Sequence, residues 1–232
     1  MELIHRLGGD CSDEYIDSYL KLILNNPGSC DTVWLASLYG FPQMQTHRKY
    51  VDRLGKIAEK FRQNGINVSL QISNTIGHGE YMSCMDCSGL IYEGSPVEKM
   101  VGANGKKAEY CFCWNGKYFR EYILKMIELY AAIKPDCIWI DDDFRLNNHY
   151  PVDFGCFCEN CIQKFNEIYK SSFSREALVE EILHGDIKWR KRNIEFQRSG
   201  IKSLISDIAR IIHTVSPDTE MGYQYCANGS YS

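Results

Sequence analysis

The chain has 232 residues, of which 26 are Lys or Arg and 30 are Asp or Glu, so its formal net charge is -4. This charge does not suit a general nucleic-acid-binding surface, and no nucleic-acid partner is expected. Apolar residues make up 44% and charged residues 24%, which excludes the composition typical of disordered chains. The longest apolar runs, such as Ile138-Trp139-Ile140, are far shorter than the about 20 residues of a membrane-spanning helix, so no membrane partner is expected.

The N-terminus indicates the cellular compartment of the protein, and the number of cysteines indicates the state of their thiols. The segment Met1–Arg6 lacks the basic-then-apolar layout of a signal peptide, which predicts a cytoplasmic protein. The 11 cysteines are an odd number in a chain too long to depend on disulfide bonds. Clustered thiols therefore favour metal binding over disulfide formation.

In chain order, the hydrophobic pattern predicts alternating strands and helices. Strands are predicted at residues 2–7, 32–38, 66–73, 137–140 and 221–224, and helices at 12–25, 50–64 and 116–133, with two or three more between 160 and 215. Residues 74–114 are rich in glycine and have no strong period, so a long loop is expected there, of a kind that is usually functional. No repeat or linker divides the sequence, and residues 1–232 are predicted to form a single domain.

About five strands separated by helices indicate a parallel α/β architecture with right-handed crossovers. Two closures compete: a doubly wound sheet, for which five strands are complete, and a (β/α) barrel of the TIM type, for which they are a little over half. The Gly8-Gly9 pair lacks the G-x-G-x-x-G spacing and no Walker sequence exists. Nucleotide binding therefore has no motif to support it.

The sharpest motif is the C-x-C-x-x-C group of Cys156, Cys158 and Cys161, directly after the fourth predicted strand. Three thiolates can share one soft cation, and a closed structural Zn²⁺ site needs a fourth ligand. Four cysteines of the predicted long loop are candidates for that ligand: Cys84, Cys87, Cys111 and Cys113. The alternative is a group of reduced thiols that bind no metal.

Three consecutive acids, Asp141, Asp142 and Asp143, follow the same predicted strand. Strand alternation predicts that Asp141 and Asp143 point to one side and Asp142 to the other. Acids at such strand ends lie where parallel α/β folds build their sites, and neighbouring carboxylates raise one another's pKa, which suits a general acid. The alternative is an acidic cluster neutralised by Arg145 and by helix N-termini.

Other side chains near the predicted strand ends are candidates for binding a polyhydroxylated ligand. They are Tyr39, Gln71, Asn74, His78, Arg145, His149 and Gln224, with Trp139 or Trp114 as a stacking surface for a sugar ring. For His78 and His149, which lie in predicted loops, the alternative is a solvated side chain.

The order of motifs from residue 113 to residue 165 resembles glycoside hydrolase family 42, the zinc-containing β-galactosidases. The motifs are Cys113, Phe119-Arg120-Glu121, Trp139 with the acids that follow it, the C-x-C-x-x-C group and Phe165. The resemblance implies a (β/α)8 barrel and a structural zinc. As zinc ligands it implies Cys113, Cys156, Cys158 and Cys161.

The resemblance also implies a general acid/base at the end of strand four. The family has Asn-Glu where this chain has Asp142-Asp143, and Asp is one methylene shorter than Glu. The leading hypothesis is a glycoside-hydrolase-like protein acting on a carbohydrate, with Asp143 or Asp142 as the proton donor. Two alternatives are a metal-dependent hydrolase, in which Asp141, Asp143 and a histidine hold a catalytic cation, and a non-catalytic sugar-binding scaffold.

In the family that the chain resembles, the nucleophile comes from strand seven, which is not among the five predicted strands. The barrel is therefore expected to be incomplete at its C-terminus and to hydrolyse no glycoside by itself. An incomplete barrel would also expose the edge of its parallel sheet, so homo-oligomers are expected.

Overall fold

A computed structural model describes residues 2–77 and 83–224, apart from the side chain of Asn148. The chain divides into two compact units. The first, here called the sheet unit, comprises the described residues of 1–75, 124–142 and 209–232, and the second, the cysteine unit, those of 76–123 and 143–208. The single-domain organisation expected from the sequence stays a prediction.

Strands and helices alternate as far as the third strand, after which four short strands precede the third helix, and three helices in a row precede the last strand. The strands are β1 (Ile4–Gly8), β2 (Thr32–Ala36), β3 (Asn67–Ile72), β4 (Ile91–Tyr92), β5 (Ser95–Pro96), β6 (Lys99–Val101), β7 (Lys107–Phe112), β8 (Cys137–Ile140), β9 (Asn147–His149), β10 (Val152–Phe154) and β11 (Glu220–Tyr223). The helices are α1 (Asp13–Leu24), α2 (Met44–Arg62), α3 (Lys117–Ala131), α4 (Glu159–Tyr169), α5 (Arg175–Leu183) and α6 (Ile187–Val215). No helix in this described part is long and apolar enough to cross a membrane.

The sheet unit is built on five parallel strands in the order β1-β2-β3-β8-β11. All five strands predicted from the sequence are present, and helices connect them. Because the strands are parallel, their carboxyl ends lie at the same edge of the sheet. The loops that follow β1, β2, β3 and β8 therefore begin at that edge.

One face of this sheet is entirely apolar through its central strands. Successive residues of a strand point to opposite faces, and the residues on this face are at most 4% exposed: Leu7, Val33, Leu35, Val68, Leu70, Ile72, Ile138 and Ile140. Helix α2 packs against β3 and buries Leu54 and Phe61. This apolar face and the helices form the core of the sheet unit.

The opposite face, here called the polar face, carries polar and aromatic side chains. Arg6 and Trp34 are paired in register on it, as are Gln71 and Trp139. The rings of Trp34 and Trp139 lie 6.1 Å apart between centroids. Gly222 makes room for the second ring, since a Cβ at residue 222 would lie 2.4 Å from Trp139.

Helix α2 begins at Met44, well before the start at residue 50 that the sequence predicts. The extra turns carry His47, which is fully buried. Its ring packs edge-on against Tyr130, and its Nδ1 lies 3.2 Å from the Tyr130 hydroxyl. This contact between residues far apart in the chain leaves no local signal in the sequence.

The segment predicted as one long loop contains two short antiparallel pairs, β4 with β5 and β6 with β7. In β7, Lys107 and Glu109 are exposed whereas Ala108 and Cys111 are buried. The pairing of β6 with β7 is irregular between Lys99 and Val101. Strands this short and irregular do not produce a recognisable period in the sequence.

The apolar face leads to a test of the core. Leu70 lies in the middle strand and is fully buried, so Leu70→Ala should lower the free energy of unfolding by about 2–5 kcal/mol. Leu22→Ala is the matched control, because Leu22 is 59% exposed and its truncation should cost less than about 0.5 kcal/mol. Urea unfolding followed by circular dichroism measures both, and equal losses would contradict this account of the core.

Candidate functional site

The cysteine unit brings four thiols together. The Sγ atoms of Cys113, Cys156, Cys158 and Cys161 all lie within 4.8 Å of one another. The Sγ of Cys113 is 3.6 Å from that of Cys158 and 3.4 Å from that of Cys161. Three of the four residues are buried and Cys158 is half-buried.

This arrangement could hold a metal ion. Four thiolates at about 2.3 Å from a tetrahedral Zn²⁺ would have their sulfurs about 3.8 Å apart, close to the spacing found here. A hydrogen bond from the thiol of Cys113 lowers the pKa of Cys158, so that Cys158 is the thiol most readily ionised. Hydrogen bonding to Cys113 raises the pKa of Cys161. The four thiols form a soft, closed donor set.

Glu98 anchors the segment that carries Cys113. Its backbone carbonyl accepts a hydrogen bond from the Cys113 N–H at 2.8 Å. Its carboxylate accepts hydrogen bonds from the backbone N–H groups of Tyr118 at 3.3 Å and Phe119 at 3.1 Å, at the start of α3, where a negative charge is favourable. Gly116 permits this approach, because a Cβ there would lie 2.5 Å from the carboxylate.

Gln197 of α6 holds Cys156 from the other side. Its side-chain Nε2 donates to the carbonyl of Cys156 at 3.0 Å, and its Oε1 accepts from the N–H of Cys156 at 3.3 Å. The same Oε1 accepts from the indole Nε1 of Trp114 at 2.8 Å. Because Gln197 is buried, the backbone of Cys156 is fixed by hydrogen bonds that are shielded from water.

Trp114 is enclosed and does not offer a surface for a sugar ring. It is 2% exposed, and Gly200 lies directly against its ring. Arg120 donates to the carbonyl of Trp114 at 3.2 Å and forms an ion pair with Asp207 of α6. Arg120, the arginine of the Phe119-Arg120-Glu121 segment, therefore links Trp114, the residue after Cys113, to α6.

The other candidates for the fourth thiol lie apart from this cluster. Among the described residues, the group that could hold a metal contains none of them. Cys111 is buried, with its Sγ 3.9 Å from the Sδ of Met100, and burial raises its pKa well above the usual range. Cys84 is exposed and Cys87 is half-buried.

The three acids after β8 differ in their surroundings. Strand β8 ends at Ile140, so strand alternation does not extend as far as Asp143. In the sheet unit, the backbone N–H of Asp141 donates to Ile72 at 3.1 Å, and a carboxylate oxygen of Asp141 accepts from the N–H of Asp142 at 3.1 Å. Both side chains are partly exposed.

In the cysteine unit, Asp143 is buried and charge-paired. Its carboxylate lies 2.7 Å from the Nε of Arg145 and 3.7 Å from the Nε2 of His149. The Nε2 of His149 is also 2.9 Å from the carbonyl of Arg145, an acceptor, so this nitrogen carries the proton. Asp143 and His149 are 4% and 2% exposed, whereas the side chain of Arg145 is 34% exposed.

The remaining predicted ligand-binding residues lie in the sheet unit, except His78, which is outside the described residues. The side-chain Nε2 of Gln71 lies 3.3 Å from the Oε1 of Gln224. The buried Asn74 donates to the carbonyl of Leu38 at 3.1 Å, so its amide supports a loop. Tyr39 accepts a hydrogen bond from Arg6 at 2.5 Å.

Sequence reasoning did not find Glu98, Gln197 or Gly200. Each acts on a cysteine or tryptophan far away in the chain, and its residue type is unremarkable at its own position. Gln197, for example, interrupts the apolar pattern of α6, and a buried amide on a helix face is the one signal that could have indicated it.

No model of a known protein family matches the sequence, and a comparison with curated proteins gives no match. Solved structures do match. The catalytic domain of β-amylase from Paenibacillus polymyxa is similar with a TM-score of 0.61 at 11% identity, over 95% of this chain and 65% of that chain. The β-galactosidase from the psychrophilic Marinomonas ef1 is similar with a TM-score of 0.61 at 11% identity, over 97% of this chain and 37% of that chain.

These similarities show the fold. The neighbours are glycoside hydrolases with TIM barrels, so the predicted class, a parallel β/α architecture of the TIM-barrel type with about five strands, is confirmed. The chain spans less than two thirds of the length of either neighbour. The resemblance to family 42 is supported as far as a glycoside-hydrolase-like fold, and membership in that family stays a prediction.

The role of the Gln197 hydrogen bonds to Cys156 and Trp114 can be tested by the substitution Gln197→Leu. This change leaves the buried N–H of Cys156 and the indole of Trp114 without their acceptor, and each loss should cost about 1–3 kcal/mol. A lower melting temperature and faster reaction of the cluster thiols with a disulfide reagent are expected. Gln163→Leu, at an exposed position of α4, is the control, and identical behaviour of the two variants would contradict this role.

Proposed function

We propose that this protein is a glycoside-hydrolase-like protein that acts on a carbohydrate, with proton transfer by the carboxyl groups after β8. One observation carries the proposal: consecutive carboxyl groups follow a strand of a parallel sheet whose architecture is that of glycoside hydrolases. In barrels of this type the active site is built at the carboxyl ends of the strands. A neutral sugar also suits a protein with an acidic net charge.

In this proposal Asp142 and Asp143 have different roles. Asp143 is buried and paired with Arg145, which supports a fixed carboxylate that accepts hydrogen bonds. Asp142 is partly exposed, and two hydrogen bonds involve its backbone: its N–H donates to Asp141 and its carbonyl accepts from the hydroxyl of Tyr223 at 3.1 Å. We assign the proton donor to Asp142 and a positioning role to Asp143.

The substrate would be bound through the polar face of the sheet unit. Trp139 supplies an aromatic surface there, and Gln71 and Gln224 supply amide groups for hydroxyls. Asp141, the residue directly after β8, is partly exposed, and its carboxylate would accept hydrogen bonds from hydroxyls. His149 and Arg145 act in this proposal through Asp143.

Turnover requires a second carboxylate, which in retaining glycosidases lies about 5–5.5 Å from the first. In the family that the sequence resembles, this nucleophile comes from strand seven. In this proposal the proton donor therefore acts together with a second carboxylate, which serves as the nucleophile.

The metal proposed for the thiol cluster is one structural Zn²⁺. The support is the chemistry of the donors: thiolates select soft cations, and four of them leave no open position for a water or a substrate. Cys113, Cys156, Cys158 and Cys161 would hold the ion and join the segment after β7 to the start of α4. Its role would be to stabilise the cysteine unit.

The metal-dependent hydrolase is the weaker alternative. It would use Asp141, Asp143 and a histidine such as His78 or His149 as ligands, yet the guanidinium of Arg145 already lies against the Asp143 carboxylate and repels a cation. A cytoplasmic location, which would keep the thiols reduced, and homo-oligomers formed through the edge strands of the sheet both stay predictions.

The zinc proposal predicts about one zinc per chain in protein purified under reducing conditions. Cys158→Ser should release the ion and lower stability by at least about 2 kcal/mol, or about 4–8 °C in melting temperature. Elemental analysis after dialysis against a weak chelator and thermal unfolding are the measurements. Cys84→Ser, outside the cluster, is the control, and stoichiometric zinc in both variants would contradict the proposed ligand set.

The same protein should lose zinc affinity as the pH falls from about 8 to 6, because the thiols must release protons to bind the ion. The raised pKa of Cys161 means that protons remain to be released near neutrality. A competition titration with a metal indicator at several pH values measures this, and an affinity independent of pH would contradict thiolate ligation.

The proton-donor assignment predicts that Asp142→Asn weakens binding of a protonated iminosugar, a cationic mimic of the reacting sugar, at least tenfold, or about 1.4 kcal/mol. Its melting temperature should be unchanged, whereas Asp143→Asn should also melt lower because it removes the buried carboxylate that pairs with Arg145. Asp153→Asn, at an exposed position of β10, is the control. Calorimetric titration that shows equal affinity in wild type and Asp142→Asn would overturn the assignment.

A further inference from the structure

We infer that Cys158 is a redox-active thiol that exchanges with small disulfides carrying carboxylate groups, and that Cys113 completes the reaction by forming a disulfide bond with Cys158. This reaction goes beyond the structural metal that the proposed function assigns to the four thiols. It requires the thiols and a cavity beside them, whether or not an ion is bound.

One of the four thiols can be reached from outside. Cys113, Cys156 and Cys161 are at most 1% exposed, whereas Cys158 is half-buried. The Sγ of Cys156 also accepts a hydrogen bond from the backbone N–H of Val101 at 3.4 Å. A reagent that approaches the cluster therefore meets the sulfur of Cys158 first.

Cys158 lines a cavity of about 540 Å³ that lies entirely within the cysteine unit. The segment from β5 to β7 forms one side of the cavity, and the first residues of α4 and α5 form the other. Cys158 is the residue directly before α4. The volume is within the range for small-molecule ligands, about 300–1,000 Å³. A small disulfide therefore has room beside the reachable sulfur.

The charges around the cavity favour an anionic ligand. Three cationic side chains line it, those of Lys99, Lys107 and Arg175. Two carboxylates, Glu98 and Glu159, line it as well, but that of Glu98 already accepts hydrogen bonds from two backbone N–H groups at the start of α3. The cations outnumber the carboxylates, so carboxylate groups of a ligand are attracted to the cavity.

The guanidinium of Arg175 has a fixed place in this wall. Its Nη1 lies against the backbone of Gly105, where a Cβ would approach it to 2.5 Å. Gly105 has a φ of 76°, and its N–H donates to the carbonyl of Gly102 at 2.9 Å within the turn between β6 and β7. The carboxylate of the exposed Glu176 is 3.9 Å from Nη1, which leaves the other guanidinium N–H groups for a ligand.

The exchange has two steps, and Cys113 lies where the second step needs a thiol. In the first step the thiolate of Cys158 attacks one sulfur of the external disulfide, whose S–S bond breaks and releases one thiol. The Sγ of Cys113 lies 3.6 Å from that of Cys158, so a short approach of the two sulfurs forms a bond between them. Cys113 gives up its proton and attacks the sulfur of Cys158, and the second external thiol leaves. Two cysteines are oxidised, and one external disulfide is reduced to two thiols.

The new bond would join the segment after β7 to the start of α4, the two segments that the thiol cluster brings together. Cys113 and Cys158 would no longer be available as thiolate ligands, so a metal ion held by the four cysteines would be lost. Oxidation therefore replaces the proposed metal by a covalent bond between the same two segments.

The test treats the full chain, purified under reducing conditions and then freed of reductant, with an excess of glutathione disulfide or of the neutral hydroxyethyl disulfide. Peptide mass mapping identifies the bonds formed, and a time course gives the rates. Zinc is measured in parallel with a metal indicator. The variants are Cys113→Ser, Lys107→Gln and Arg175→Gln, each shown to be folded by circular dichroism. Lys106→Gln is the matched control, because Lys106 is exposed and adjacent to Lys107 but does not line the cavity.

Wild type should form the Cys113–Cys158 disulfide, and Cys113→Ser should instead retain one glutathionyl group on Cys158. Lys107→Gln and Arg175→Gln should each slow the reaction with glutathione disulfide about threefold or more and leave the reaction with hydroxyethyl disulfide unchanged. Lys106→Gln should change neither rate. The mapping of wild type and the charge variants do not depend on the folding of Cys113→Ser.

A disulfide between any other pair of cysteines in the cluster, or oxidation confined to cysteines outside it such as the exposed Cys84, overturns the inference. Rates with glutathione disulfide that are unaffected by Lys107→Gln and Arg175→Gln overturn the choice of an anionic ligand. Stoichiometric zinc without a disulfide in the cluster overturns the redox role alone. Formation of the Cys113–Cys158 disulfide in protein that never held zinc supports the redox role and contradicts the structural metal.

Discussion

The parallel pairing of β1, β2, β3, β8 and β11 in one register is the constraint on which the other features of the sheet unit depend. Parallel strands all end at one edge, so polar residues that follow different strands are gathered there without any attraction between them. The same register separates the two faces, because a slip of one residue would exchange them. The aliphatic face must be buried by helices, and the polar side chains are thereby confined to the other face.

In the cysteine unit the corresponding constraint is that two separate chain segments bring four cysteine sulfurs close together. Cys113 follows β7, and the other three thiols surround the start of α4. Glu98 and Gln197 fix these segments from opposite sides by hydrogen bonds to the backbone of Cys113 and Cys156. Glu98 and Gln197 thus have the usual role of groups around a metal's ligands, which is to orient those ligands. A cation bound by the four sulfurs would stabilise a geometry that the protein already has.

The features that could be predicted from the sequence depend on neighbouring residues. Helix α1, predicted at residues 12–25, begins directly after Ser12, whose side chain caps it, and β8 follows from the run Ile138-Trp139-Ile140. The C-x-C-x-x-C group could also be recognised because its three cysteines are close neighbours in the sequence. The start of α2 could not be predicted, because His47 meets Tyr130 across 83 residues of sequence. Gln197 likewise binds the backbone of a cysteine 41 residues away; its place in the apolar pattern of α6 marks a buried amide but does not identify this partner.

The strand-end acids show how position in sequence and role can differ. Asp142 and Asp143 are adjacent and chemically identical, yet one is partly exposed and the other is buried against Arg145. A buried carboxylate with a fixed partner orients other groups well but is hard to approach, whereas an exposed one can meet a leaving group. Burial and pairing, which the sequence does not record, therefore decide which of several equivalent carboxylates is free to meet a ligand.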